Sequence, residues 1–251
     1  MLIAVLSDIH GNLPALKAVL KDIKNNGVEQ VTCLGDIVGY GGQPKECLEM
    51  IRMIGTPIVR GNHDTDVALA FSIGNYYNPL VQKSIELTRS ILSAEEKAYL
   101  ITLPLISETH NTQLVHASLK NPEDWNYLDN VKSAEDNLNL QKYDITFCGH
   151  THIPGGFYKN VNPGLTFVAN SVQPLDIENP IELTGFSKYL INVGSVGQPR
   201  DGDPRASYVL FNSDNGIIIF QRVEYNIEKA QRKIISSGFP ESFASRLAVG
   251  L

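Results

Sequence analysis

The sequence predicts an α/β fold on three observations. Short apolar runs that read as buried strands alternate with amphipathic helices through the first hundred or so residues. Several of those runs stop at a Gly-Asp, Gly-Asn or Asp-x-His turn. From Leu103 onward the helical spacing gives way to short alternating runs. Residues 1–6 (MLIAVL) form the first strand. Residues 13–24 form a helix, because Leu13, Leu16, Val19, Leu20 and Ile23 share one face and lysines lie elsewhere. Residues 30–34 are a strand stopping at Gly35 and Asp36, 44–54 a helix, and 57–59 a strand stopping at Gly61, Asn62, His63 and Asp64. Residues 79–100 are helical, with a capping box from Ser93 to Glu96 restarting the helix.

The first part therefore reads as a parallel sheet. Runs at 104–109, 112–116, 144–148, 165–170, 189–193, 206–212 and 216–223 predict a second, more antiparallel set of strands, and a helix at 226–237 closes the chain. No repeat, low-complexity segment or linker interrupts the 251 residues, so one domain over 1–251 is expected. Two insertions, 118–143 with the only tryptophan, Trp125, and the Pro/Asn-rich 160–188, are read either as rim loops over a site or as ordinary surface connections.

With 43% hydrophobic and 19% charged residues the chain can bury a large core. A net charge of −6 provides no whole-protein field for gripping nucleic acid, so any bound anion must be held by a local positive site. Cys33, Cys47 and Cys148 are odd in number and widely spaced, which argues against a disulfide framework and for a reducing cytoplasm. No signal peptide is read before the first strand, and no apolar stretch reaches about 18 residues, so no membrane partner is expected.

Asp8 and His10 follow the first strand at positions i and i+2, which point to the same side of an extended chain. Taken alone, the pair is either a metal chelate or a turn in which Asp8 caps the helix near Leu13. The other strand tips extend it: Asp36, then Asn62 and His63, then His116, then His150 and His152. Ligands of open α/β sheets bind outside the carboxyl ends of the strands. Five of the six histidines fall there, while His110, beside Asn111 in an expected hairpin turn, reads as a solvated surface residue.

Two carboxylates, one amide and four imidazoles exceed the needs of one tetrahedral metal and suit two ions with open positions. Asp36 is the natural bridge. Mixed nitrogen and oxygen donors favour two divalent transition-metal ions, Mn²⁺, Fe or Zn²⁺, over an oxygen-only calcium cage. Such a pair retains positive charge after Asp8, Asp36 and a hydroxide are counted against it, which lets an acidic protein hold a phosphate. Water shared by two such cations ionises near neutral pH.

These motifs, Asp8-Ile9-His10, Gly35-Asp36, Gly61-Asn62-His63-Asp64, His116 and Gly149-His150-Thr151-His152, together resemble those of the calcineurin-like metallophosphoesterases. The likeness runs from residue 3 to about 200. It is nearest to bacterial phosphodiesterase-like members, echoed in Gly35 to Gly41 (GDIVGYG) and Gly194 to Arg200 (GSVGQPR).

The resemblance implies a four-layer αββα sandwich, two mixed sheets between helices. It also implies that Asp8, His10 and His152 hold one metal, Asn62, His116 and His150 the other, and that Asp36 bridges. His63 resembles the family's catalytic histidine, with Asp64 orienting it; Asp64 also reads as a helix-start residue ahead of Val67. One departure is His116-Ala117 where the family commonly has His-Gly, followed by Ser118, Leu119 and Lys120 where these relatives often have Ser-Pro-Arg.

Arg200 and Ser195 are candidates for holding a substrate phosphate, against a turn in which Arg200 pairs with Asp201 or Asp203. Tyr40 is a candidate wall for a nucleoside or leaving group, against a flexible Gly-rich turn. Arg60 reads as structural.

The function expected is metal-dependent hydrolysis of a small phosphate ester, nucleotides among the candidates, by a metal-activated hydroxide, with His63 assisting the leaving oxygen. Phosphomonoesters, phosphodiesters and pyrophosphates, including dinucleoside polyphosphates, are all within this class. The alternative is a non-catalytic protein-binding scaffold on the same fold. A scaffold has no need of His63 or the full ligand set, and both are present.

Overall fold

In the computed structural model, which describes residues 1–55, 57–69, 78–161 and 172–251, the first strand, β1 (Leu2–Leu6), is buried on both faces. Ala4 and Leu6 face one core and Ile3 and Val5 another, the period-two alternation of an extended chain. The chain continues through α1 (Leu13–Asn25), β2 (Gln30–Cys33), α2 (Pro44–Ile54), α3 (Asn62–Leu69), α4 (Pro79–Ile91) and α5 (Ala94–Thr102). A hairpin, β3 (Ile106–Thr109) and β4 (Thr112–Val115), is followed by α6 (Val131–Leu140) and β5 (Ile145–Cys148). Then come β6 (Gly155–Asn160), β7 (Val172–Pro174), β8 (Ile181–Glu182), β9 (Ser187–Asn192), β10 (Ala206–Asn212) and β11 (Ile217–Val223). Two helices follow, α7 (Ile227–Ser236) and α8 (Glu241–Ser245).

The strands form two mixed sheets, ordered β2-β1-β10-β11-β8 and β3-β4-β5-β9-β6-β7. Ile3, Val5, Phe147, Ile191, Val209 and Phe211 fill the space between them. The outer face of the first sheet packs on α1, α2, α4 and α5 through Leu16, Val19, Leu48, Ile51, Ile85 and Leu100. The outer face of the second packs on α6 through Ala134 and Leu138. The result is a four-layer αββα sandwich, as the motifs imply. Each large apolar side chain buried in these layers contributes about 1.5–3 kcal/mol relative to leaving it in water.

Local chemistry explains the element ends. Asn12, not Asp8, caps α1: its side chain accepts from the Ala15 N–H at 3.2 Å, and Pro14 sits in the first turn. Ser93 and Glu96 form the reciprocal capping box that starts α5. His110 and Asn111 both take left-handed backbone, φ 45° and 57°, the requirement of a two-residue hairpin turn between β3 and β4.

Several expectations change. The parallel-then-antiparallel division gives way to two mixed sheets: β1 pairs parallel with β2 but antiparallel with β10, while β4, β5 and β9 run parallel. Periodicity reports which faces are buried, and the partner strand is chosen by long-range packing. The strand at 57–59 is a single bridge, Ile58 to Cys33. The strand expected at 165–170 lies outside the described residues. In the described part of 160–188, β7 and β8 extend the sheet edges by pairing with β6 and β11 rather than roofing the site. Residues 118–143 include α6, an outer-layer helix. α8 follows the helix expected to close the chain. No helix among the described residues is long and apolar enough to cross a membrane.

Candidate metal centre

The carboxyl ends of β1, β2, β4 and β5 and the start of α3 meet at one point. Asp8 (φ 53°), His10 (48°), Asp36 (50°), Tyr40 (54°), His150 (67°) and His152 (62°) all adopt left-handed backbone there. Such residues cost about 1–3 kcal/mol each and persist only where surrounding contacts over-determine them. Those contacts are present: the N–H groups of Asp8 and His10 donate to Gly35 O and Asp36 O at 3.1 and 2.9 Å, and Gly149 N–H donates to His116 O at 2.9 Å. Two motif glycines are needed for close approach. A Cβ on Gly61 would stand 2.1 Å from Asp36 Oδ1, and one on Gly149 would stand 2.5 Å from Asp8 Oδ2. Ala117 is not among the left-handed residues, so an alanine after His116 carries no backbone strain.

Three histidines are oriented by backbone carbonyls. His10 Nδ1 faces Val38 O at 3.1 Å, His116 Nδ1 faces Leu34 O at 2.8 Å, and His152 Nδ1 faces Gln198 O at 2.6 Å. A carbonyl only accepts, so each Nδ1 carries a proton and each Nε2 points inward, offering a lone pair wherever the ring is neutral. These nitrogens converge on other acceptors. His10 Nε2 and His152 Nε2 are 3.1 Å apart, and His116 Nε2 lies 3.2 Å from Asn62 Oδ1.

Asp8 Oδ1 is buried without a hydrogen-bond partner, 3.3 Å from His152 Nε2 and 3.7 Å from His10 Nε2. Asp36 Oδ2 lies 3.4 Å from His116 Nε2 and 3.6 Å from His10 Nε2. Lone pairs aimed at lone pairs in a buried site are satisfied by cations, and this nitrogen and oxygen set fits divalent transition metals. Asp8, His10 and His152 form one group whose ligand atoms lie within 4.8 Å of one another, Asp36, His116 and His150 another, and His10, Asp36 and His63 a third.

The electrostatics agree with ligands held ready. Burial alone would raise the Asp8 and Asp36 carboxyls, but His152 beside Asp8 and His116 beside Asp36 outweigh it, so both are held below the usual carboxylate range. Burial pushes His10 and His152 down and takes His150 down to about 3, keeping those rings neutral. His116 is the exception: burial lowers it, but the Asp36 charge and hydrogen bond and the Asp8 charge prevail, raising it to about 9.

The remaining candidates separate. His63 opens α3 with its backbone N–H on Asp36 Oδ1 at 2.8 Å, its ring 4.5 Å from Tyr40 and 4.9 Å from His10, and its Nδ1 buried without a partner. Burial lowers it to about 4. Asp64 does not bond the His63 ring as the motif implies. Its carboxylate accepts from the N–H groups of Ile37, Val38 and Gly61 at 3.0, 3.3 and 3.1 Å, which makes it a brace for the loop carrying Asp36. Burial and then the Asp36 charge push it up to about 7.

Ser195 is fully buried, with its hydroxyl donating to Asp8 O and accepting from Gln198 N–H, both at 2.8 Å. It pins the Asp8 turn and is not exposed to a substrate. Arg200 is not taken by its acidic neighbours, since Asp201 pairs with Arg222 and Asp203 with Arg205. Arg60 donates to Ile101 O at 2.7 Å, a structural bond.

From the 118–143 insertion, Trp125 lies 5.9 Å from His116, and Tyr127 stacks on His150 at 4.3 Å. Tyr127, Gln198, Phe243 and Arg246 were not legible as site residues. No spacing rule links an aromatic in a loop, or an arginine near the end of the chain, to motifs so far away in sequence.

The model of the calcineurin-like phosphoesterase superfamily domain matches residues 1–216. The chain belongs to the calcineurin-like phosphoesterase superfamily. The chain is 43% identical over 253 residues to protein MJ0912 of Methanocaldococcus jannaschii, covering 99% of this chain and 98% of that one. It is 37% identical to a metallophosphoesterase from Sphaerobacter thermophilus, whose crystal structure superposes with a TM-score of 0.84 over all of both chains. It is 26% identical over 218 residues to phosphodiesterase YfcE of Escherichia coli K12, covering 83% of this chain and 85% of that protein.

Proposed function

We propose that this chain is a dinuclear metal-dependent phosphoesterase acting on a small phosphate ester. The observation that carries the reading is the convergence of three buried, carbonyl-oriented imidazole Nε2 atoms on two carboxylates held in the charged state. Asp8, His10 and His152 hold one ion, Asn62, His116 and His150 the second, and Asp36 lies between, where Oδ2 faces His10 and His116 together. Mn²⁺, Fe or Zn²⁺ bound there supplies positive charge for the phosphoryl oxygens and lowers the pKa of an attacking water.

The protein's own part is orientation and proton handling. Val38, Leu34 and Gln198 carbonyls fix three rings, and Asp64 braces the loop of Asp36. The neutral His63 ring, beside Tyr40 at the edge of the cluster, handles the proton of the leaving oxygen. The name of YfcE supports a diester among the substrates. Buried free thiols at Cys33, Cys47 and Cys148 support a reducing compartment, the cytoplasm.

The test is a chelator-stripped protein assayed on phosphomonoesters, bis-aryl phosphates, cyclic nucleotides and dinucleoside polyphosphates with and without added Mn²⁺, Fe²⁺ or Zn²⁺. Restoration of hydrolysis by a transition metal is expected. Full activity after exhaustive stripping would remove the two-metal reading.

A further inference from the structure

Two arginines beside the ligand cluster share a cleft that no Asp or Glu side chain lines among the described residues. Arg200 donates from Nη2 to Gln198 Oε1 at 2.8 Å, and Arg246, just beyond α8, donates from Nη1 to the same oxygen at 3.3 Å. One neutral amide oxygen joins the two guanidinium groups, and the Tyr40 hydroxyl interacts with both. No carboxylate pairs with either among the described residues; Asp201 and Asp203 are engaged by Arg222 and Arg205. Arg200 Nε is buried and has no hydrogen-bond partner. Burial, and then the charge of Arg200, pull Arg246 below its ordinary value. Like charges gathered in partial burial cost free energy until an anion joins them.

The cleft, about 510 Å³, is walled by Tyr40 and Phe243, whose rings meet edge to face at 4.9 Å. Tyr40 is shared between the wall of this cleft and the candidate metal centre. That ring lies 4.5 Å from His63 and 4.7 Å from His10, and the Arg200 guanidinium carbon lies 5.8 Å from its centroid. The Arg200 backbone N–H also donates to His152 O at 3.2 Å. An anion held by both arginines would therefore lie beside Tyr40, on the His63 side of the cluster.

We propose that Arg200 and Arg246 bind a second phosphoryl group on the leaving side, so that the substrate class is compounds with two adjacent phosphates, phosphoanhydrides such as nucleoside diphosphates. The proposal rests on the phosphoesterase reading for the scissile step. Guanidinium forks match phosphate oxygens in bidentate geometry. In the reaction, water oxygen bonds to the scissile phosphorus and the bond to the bridging oxygen breaks. That oxygen leaves on the second phosphate, whose growing negative charge the arginines take up. One net proton passes to solvent, and inorganic phosphate and the nucleoside monophosphate are released. Tyr40 and Phe243 offer an apolar wall for whatever follows the second phosphate.

The test uses the full-length chain with and without Mn²⁺. Calorimetry compares the non-hydrolysable α,β-methylene analogue of ADP with AMP, and kinetics compare ADP with p-nitrophenyl phosphate. The wild-type protein is expected to bind the analogue at least about tenfold more tightly than AMP, the worth of one charged phosphate contact. Arg246→Gln and Arg200→Gln should each erase most of that preference, and Arg246→Lys should restore part of it.

Equal binding of analogue and AMP by the wild type overturns the proposal, and this comparison stands even where a variant does not fold. A preference undiminished in both folded variants also overturns it, as does hydrolysis of p-nitrophenyl phosphate with none of ADP. A preference that the variants lose, with no hydrolysis of either substrate under any metal, would keep the anion subsite and remove the phosphoesterase reading instead.

Discussion

The backbone N–H of His63 donates to Asp36 Oδ1 at 2.8 Å, so the histidine assigned to the leaving group hangs from the carboxylate assigned to both ions. The other oxygen of Asp36 faces His116 and His10. Asp8 divides its oxygens in the same way: Oδ2 accepts from the His150 N–H at 3.0 Å, and Oδ1 faces His152. One oxygen of each carboxylate fixes the loop that carries a functional histidine, and the other is left for a cation.

Asp36→Asn should therefore empty the site more completely than any single histidine change. The amide removes a full charge, and once its oxygen accepts from His63 its NH₂ is turned toward His10 and His116. Metal analysis after gel filtration should find less than one ion per chain, whereas His116→Ala should keep one. Two tightly held ions in Asp36→Asn would show that the carboxylate does not bridge.

Metal uptake should be linked to a proton on His116. With its pKa raised to about 9 by Asp36 and Asp8, the metal-free ring is charged at neutral pH and a metal must displace that proton. Apparent affinity should rise by about tenfold per pH unit below 9 and level off above it. The sign reverses for the metal-free fold, because a histidine raised above its unfolded value near 6.5 stabilises fully below that pH. That stabilisation is lost as pH rises through 9. Trp125, the only tryptophan and 5.9 Å from His116, is the reporter. Its emission should titrate near 9 without metal and lose that step when metal is bound. A titration unchanged in His116→Gln would exclude His116 as its source.

Asp64 gives a test of bracing against direct catalysis. Its carboxylate satisfies three buried amide donors, at Ile37, Val38 and Gly61, and Asp64→Ala strands all three. Denaturant unfolding of the metal-free chain should show a loss of about 3–5 kcal/mol, the range for breaking a buried charged network. A variant of wild-type stability with an altered pH profile would return Asp64 to orienting His63.

The ligand cluster was legible because its chemistry is written at strand ends, where an apolar run stopping at Asp-x-His or Gly-Asp announces both the strand and the side chain it presents. The alternative in which Asp8 caps α1 fails because Asn12, next to the helix, accepts from the Ala15 N–H instead. Of the two readings of Asp64, its carboxylate fits the helix-start one, accepting from the Gly61 N–H at the start of α3, and it also reaches the Asp36 loop, which adjacency in sequence does not reveal. The mixed character of the sheets was hidden for a different reason. β10 carries the same alternating apolar pattern whether it pairs with β1 or with β9, and the choice is made by contacts far apart in the chain.

His63 provides the sharpest separation of proton handling from metal holding. Its ring nitrogen lies within reach of His10 and Asp36 as a ligand, yet its neighbour Asn62 already stands against His116. If His63 protonates the departing oxygen, its loss matters in proportion to how much that oxygen needs a proton. General acid assistance is worth about 10²–10⁴-fold. An alkyl or nucleoside alkoxide needs that help, whereas p-nitrophenolate leaves readily as an anion. His63→Ala should keep its metal content, lose most of its activity on alkyl and nucleoside esters, and lose distinctly less on p-nitrophenyl esters. Equal losses on both would assign His63 to positioning the phosphate, and loss of an ion would make it a ligand.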